Sequence, residues 1–128
     1  MANTANKVDD LPVQIGGGIG VAEYEISIDT VNSDLTVRTA PNSTDRIWIT
    51  GILFSENASG KLVIKSKNGA TVNKSKTIEL GANQGAWEGV KNSFLFATKA
   101  GDDLVVQSSM LLTSLTLFTT DGYRFNCR

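Results

Sequence analysis

Histidine is missing from this 128-residue chain, cysteine occurs once, and proline, tryptophan and tyrosine occur twice each. Without histidine the commonest general base and the commonest transition-metal ligand are gone, and a serine nucleophile has no imidazole partner. The single cysteine, Cys127, stands next to the last residue, so neither an internal disulfide nor a cysteine-built metal site can form. No run approaches the roughly 20 apolar residues of a membrane-spanning helix. Met1 to Asp10 lack the apolar centre of a secretion signal, which points to synthesis in a cytoplasm. Twelve basic and 13 acidic residues leave a formal charge of −1. That balance makes nucleic acid an unlikely partner and an anionic membrane equally so. No catalytic constellation, cofactor site or metal site is expected.

What is present is a globular composition, 41% hydrophobic and 20% charged, sufficient for one core. Short two-fold alternations are separated by turn residues, with no helical period and no internal repeat. Residues 1–20, with Pro12 and the run Gly16-Gly17-Gly18 and Gly20, read as a flexible or extended N-terminal arm, and 21–128 as the folded domain. Val21–Ile28 sets Ala22, Tyr24, Ile26 and Ile28 against Val21, Glu23, Glu25 and Ser27, a half-buried strand. Leu35–Arg38 reads as a short strand after the turn at Asn32–Asp34.

The chain is organised around 45–69. Ile47 to Phe54 is apolar in both phases: Ile47, Ile49, Gly51 and Leu53 against Trp48, Thr50, Ile52 and Phe54. Glu56–Gly60 reads as a hairpin loop into a second strand with Leu62 and Ile64, and Asn68-Gly69 as a turn into a polar edge strand, Thr71–Leu80. Shorter strands are expected at Ala86–Val90, Phe94–Ala97 and Leu104–Ser108. Leu111–Thr120 is the last long one, with Asp121-Gly122 as a hairpin signal leading into Tyr123–Phe125. About eight to ten short strands and no helix predict an all-β protein, an antiparallel β-sandwich with a jelly-roll-like arrangement.

The remaining motifs have mundane readings. The glycine run lacks the Lys-Ser or Lys-Thr of a phosphate loop and precedes no helix. Asp102 and Asp103 are ordinary turn residues. Asn42, Asn57 and Asn73 start glycosylation-like triplets that mean little without secretion. Trp87, Tyr24 and Tyr123 are candidates for a sugar-stacking platform, though packing is the more general role of aromatics. Lys61, Lys65, Lys67, Lys74 and Lys76 form a basic cluster that would present one basic surface if their strands pair. A solvated, protected sheet edge accounts for it equally.

The passage from Arg46 to Ile64, which contains Ile49-Thr-Gly-Ile52 and the Asn57–Gly60 turn, is followed by Gly101-Asp-Asp-Leu104 and a Leu/Thr/Ser-rich last strand. This succession resembles small β-sandwich virion proteins of tailed bacteriophages, the capsid decoration or cement proteins and related head–tail accessory proteins. The resemblance covers about residues 45–120 and implies a non-enzymatic structural role in a virion, with capsid or tail proteins as partners. The residues add an expectation of their own. A strand apolar on both faces has one face left over after a sandwich is built, which suits a homo-oligomer such as a trimer. Trp48, Ile52, Phe54 and Phe118 are the candidate interface. The alternative is a glycan- or receptor-binding module, as at a fibre tip, that uses Trp87. A small enzyme would have to rely on carboxylates or lysines, and no pair stands out.

Overall fold

The computed structural model describes residues 3–15, 19–56, 59–80, 84–89 and 95–122. Among them are ten strands and no helix: β1 (Thr4–Ile15), β2 (Ile19–Ile28), β3 (Leu35–Arg38), β4 (Arg46–Glu56), β5 (Gly60–Asn68), β6 (Thr71–Leu80), β7 (Gln84–Gly89), β8 (Phe96–Ala97), β9 (Asp103–Ser108) and β10 (Leu112–Gly122). The larger sheet runs β1-β2-β10-β4-β7, with β8 also on β4, and the smaller runs β3-β9-β5-β6. Every pairing is antiparallel. Successive strands keep changing sheets, from β2 to β3, β3 to β4, β4 to β5, β6 to β7, β8 to β9 and β9 to β10. This is the double Greek key of a jelly roll.

The core lies between the sheets. Tyr24, Ile26 and Ile28 of β2, Ile47, Ile49, Ile52 and Phe54 of β4 and Leu115 and Leu117 of β10 meet Leu62 and Ile64 of β5 and Leu104 and Val106 of β9. These are the β-branched and aromatic runs that alternation marks as strands. Residues 4–15, read as part of an arm, run extended alongside β2 from Thr4↔Ser27 to Ile15↔Ile19.

Three local expectations are corrected. β4 and β5 are not a hairpin, because they lie in different sheets and the 56–60 connection crosses between them. Turn composition marks a reversal of the chain, but not whether the chain stays in one sheet. Asp121-Gly122 is not a turn; it ends β10, opposite Ile47 and Arg46, and Asp121 is held by Arg38. The return through Tyr123–Phe125 lies outside the described residues. The Asn68-Gly69 turn does form. Asn68 pairs with Thr71, and Gly69 at φ +61° supplies the left-handed residue that a two-residue loop needs.

The third correction concerns β4. Phe118 pairs with Gly51 and Thr119 with Ile49, so Thr50 is an extra residue opposite β10. This β-bulge shifts the side-chain phase by one. Ile47 and Ile49 point inward before it, and Ile52 and Phe54 point inward after it. The strand therefore has one inner face drawn from both sequence phases, and of its apolar side chains only Trp48 and Leu53 are left for the outer side. A glycine inside a strand is the sequence sign of such a bulge, and Gly51 adjoins it.

Candidate functional site

The four expected interface residues separate. Ile52 is 5% exposed and Phe54 1%, both inside the core of a single chain. The bulge places them there. Trp48 is on the outer side of β4 but is buried, with Thr120 of β10 and Ala97 of β8 as its register partners. Phe118 is half-buried on the outer face of β10. Its register partner Gly51 puts no side chain next to it. Two positions along β4, Leu53 is 43% exposed, in register with Thr116 of β10 and Trp87 of β7. Glu23 and Glu25 of β2 flank this strip opposite Phe118 and Thr116. Leu53 is the residue that alternation missed, because the bulge had reversed its phase.

The five lysines divide as well. Register sets Lys76 opposite Ile64 and Lys74 opposite Ser66, whose side chains are buried. Directly paired residues share a face, so Lys74 and Lys76 belong to the inner side of β6, at the open edge of the sandwich. Lys61, Lys65 and Lys67 alternate with buried Leu62, Ile64 and Ser66 and point outward. Lys74 reaches across the edge, donating to the Ala97 carbonyl at 2.5 Å, with its Nζ 5.3 Å from the Phe96 ring centroid. Lys65 and Lys67 both hold Asp34, at 2.8 and 2.6 Å, and Lys65 also donates to Gln107. Lys61 lies 3.8 Å from Glu79. The single basic surface is thus two groups on opposite faces, and the outward group carries its own acids. The Lys65 and Lys67 hydrogen bonds lower the Asp34 pKa from its usual 3.8.

Two polar clusters tie the sheets together. Arg38 of β3 donates to Asp121 at 2.6 Å and to the Thr119 hydroxyl at 2.9 Å, both on β10. Beside this pair an open cleft of about 540 Å³ is lined by Lys7, Tyr24, Thr36, Arg38 and Asp121. Tyr24 itself is buried in the core, so it is no exposed sugar platform. At the other end Asp102, 1% exposed, accepts from Ser66 Oγ and Asn73 Nδ2 at 2.7 Å each. Ser66 Oγ in turn accepts from the Lys99 N–H. A buried carboxylate needs such donors. Asp102 is a bracket between β5, β6 and the 98–102 turn, more than the simple turn residue expected. The Trp87 side chain and Tyr123 lie outside what the structure describes.

Among the described residues no three His, Cys, Asp or Glu side chains are grouped to hold a metal, and no helix is long and apolar enough to cross a membrane.

No family model and no curated protein matches the chain. Solved structures similar to it include the following two. One is a protein of Bacillus endospore appendages, described as a novel family of disulfide-linked pili; it is 14% identical, with 88% of this chain and 96% of that chain covered and a TM-score of 0.46. The other is a carbohydrate-binding module of a Cellvibrio mixtus lichenase, in complex with cellotriose. It is 13% identical, with 95% and 98% covered and a TM-score of 0.33.

Proposed function

We propose that the chain is a non-enzymatic structural protein of a virion, of the capsid-decoration or head–tail accessory kind. It self-associates through the outer face of its larger sheet and docks on a capsid or tail surface. The succession of motifs between residues 45 and 120 supports the class. One observation supports the mode of action: Leu53 stands exposed on a β4 flanked by β10 and β7, near half-buried Phe118. Isolated exposed leucines are common on protein surfaces. An apolar strip along the middle of a sheet face, rimmed by Glu23 and Glu25, has the form of an interface centre with a polar rim.

The test is native mass by light scattering on the wild type and on Leu53→Asp. A closed oligomer, with a trimer favoured, is expected for the wild type. Leu53→Asp is expected to be a folded monomer whose cooperative unfolding midpoint no longer depends on protein concentration, since the side chain contributes little to the core of the single chain. A monomeric wild type overturns the reading. If that monomer also binds glycans and loses them on Trp87→Ala, the receptor-binding alternative takes its place.

A further inference from the structure

We infer that successive copies of the chain also join edge to edge, with β1 of one copy laid alongside β6 of the next. This goes beyond the outer-face contact and rests only on the premise that the chain self-associates. β1 ends the larger sheet and β6 the smaller. Among the described residues, each is hydrogen-bonded to one neighbouring strand and has a second edge without one. Such edges are templates for another strand. They are long, 12 residues in β1 and 10 in β6, and Thr71–Thr77 of β6 is exposed throughout.

The two edges lie on opposite flanks. β1 packs over β3, the far end of the smaller sheet from β6. β6 lies near β8, where Lys74 meets Ala97 and Phe96. A β1–β6 contact is therefore head-to-tail. It closes into a ring if the rotation permits and otherwise extends as a filament.

Charge selects this pairing over its rivals. β6 carries Lys74 and Lys76 and no acid before Glu79. Lys76 is exposed and makes no ion pair among the described residues. Two β6 strands pairing with each other would bring lysine toward lysine, and two β1 strands would bring Asp9 and Asp10 toward their own copies. Like charges across strands destabilise, and opposite charges stabilise. Asp9 and Asp10 hold consecutive register positions, opposite Glu23 and Ala22. The lysines that guard β6 against its own kind thus favour β1, in which Asp9 and Asp10 outnumber the lone Lys7.

The experiment compares assembly against concentration at low salt, by light scattering, for the wild type, Lys76→Glu, the Asp9→Lys/Asp10→Lys pair, and all three substitutions together. Each charge reversal alone is expected to raise the half-assembly concentration on the order of tenfold, and the combination to recover part of the loss. If Lys76→Glu assembles like the wild type, the edge contact is wrong. If Leu53→Asp dissociates while the charge variants do not, the edge contact falls and the outer-face reading stands. The reverse pattern keeps the edge contact and removes the outer face, and a wild type that never assembles overturns both.

Discussion

β4 and β5 are neighbours in sequence and nearly equal in length, yet they obey different rules. β5 keeps a clean period of two, with Leu62, Ile64 and Ser66 buried and Lys61, Lys65 and Lys67 turned out. β4 changes phase at Thr50, so its core residues come from odd positions before the bulge and even positions after it. In β5 the sequence reads directly as inside and outside. In β4 the same reading assigns Ile52 and Phe54 to a second apolar face, whereas the folded chain buries both in its core. The lesson is that apolar residues in both phases have two explanations, a covered second face or a phase slip, and a mid-strand glycine favours the slip.

Deletions give the widest test of this contrast. Removing Val63 from β5 turns every side chain on one half of the strand to the wrong face. The variant is expected to lose cooperative unfolding altogether in a denaturant titration followed by circular dichroism. Removing Thr50 from β4 takes out the extra residue and leaves Ile47, Ile49, Ile52 and Phe54 facing inward. That variant is expected to unfold cooperatively with a moderate loss of stability, part of it from the Thr50 hydroxyl that donates to the Phe118 carbonyl. If the two deletions prove equally damaging, the bulge is not what reconciles the two phases.

A smaller effect separates core from interface. Phe54→Ala should destabilise the isolated chain by about 3–5 kcal/mol, the usual range for a buried phenylalanine, and the loss should not depend on protein concentration. A loss that vanishes on dilution would return Phe54 to the interface it was first expected to form.

The smallest effect belongs to the outward face of β5. The folded-state pKa of Asp34 lies below its ordinary 3.8, so its contribution is fully present above that value and fades as pH falls through the folded pKa. Lys65 and Lys67 are partly open to solvent, and screening holds the contribution to less than about 1 kcal/mol. Asp34→Asn should therefore be slightly less stable than the wild type at neutral pH. The two should converge in urea titrations as the pH falls below the folded-state pKa, and a gap that persists in acid would show that the carboxylate charge is irrelevant.

Much of the architecture was legible. Alternation at Val21–Ile28, the Asn68-Gly69 turn and the absence of a helical period give an all-β sandwich, because those signals are local. What stayed hidden depends on partners distant in sequence. Whether Glu56–Gly60 closes a hairpin or crosses between sheets is decided by β10 and β9, which draw β4 and β5 apart. Asp121-Gly122 has the composition of a turn, but Arg46 and Ile47 across the ladder and Arg38 from the other sheet keep it extended. The lysines between 61 and 76 look like one cluster until the β5–β6 register assigns them to two faces. The exposure of Leu53 depends on the phase shift at Thr50, and the burial of Asp102 depends on Ser66 and Asn73, which are distant in sequence.

The place of β10 bears on the order of events during synthesis. The last of the described strands is inserted between two that emerge much earlier, with Leu117 lying between Tyr24 of β2 and Ile52 of β4. The larger sheet therefore cannot be completed on the ribosome before residues 112–122 are free, while the β5–β6 hairpin can form from its own neighbours. For that interval β2 and β4 present unpaired edges and the apolar side of a half-built core, the condition in which nascent β proteins associate wrongly. A truncation that removes β10 should fix the chain in that state, recoverable only as aggregate or as a complex with a chaperone.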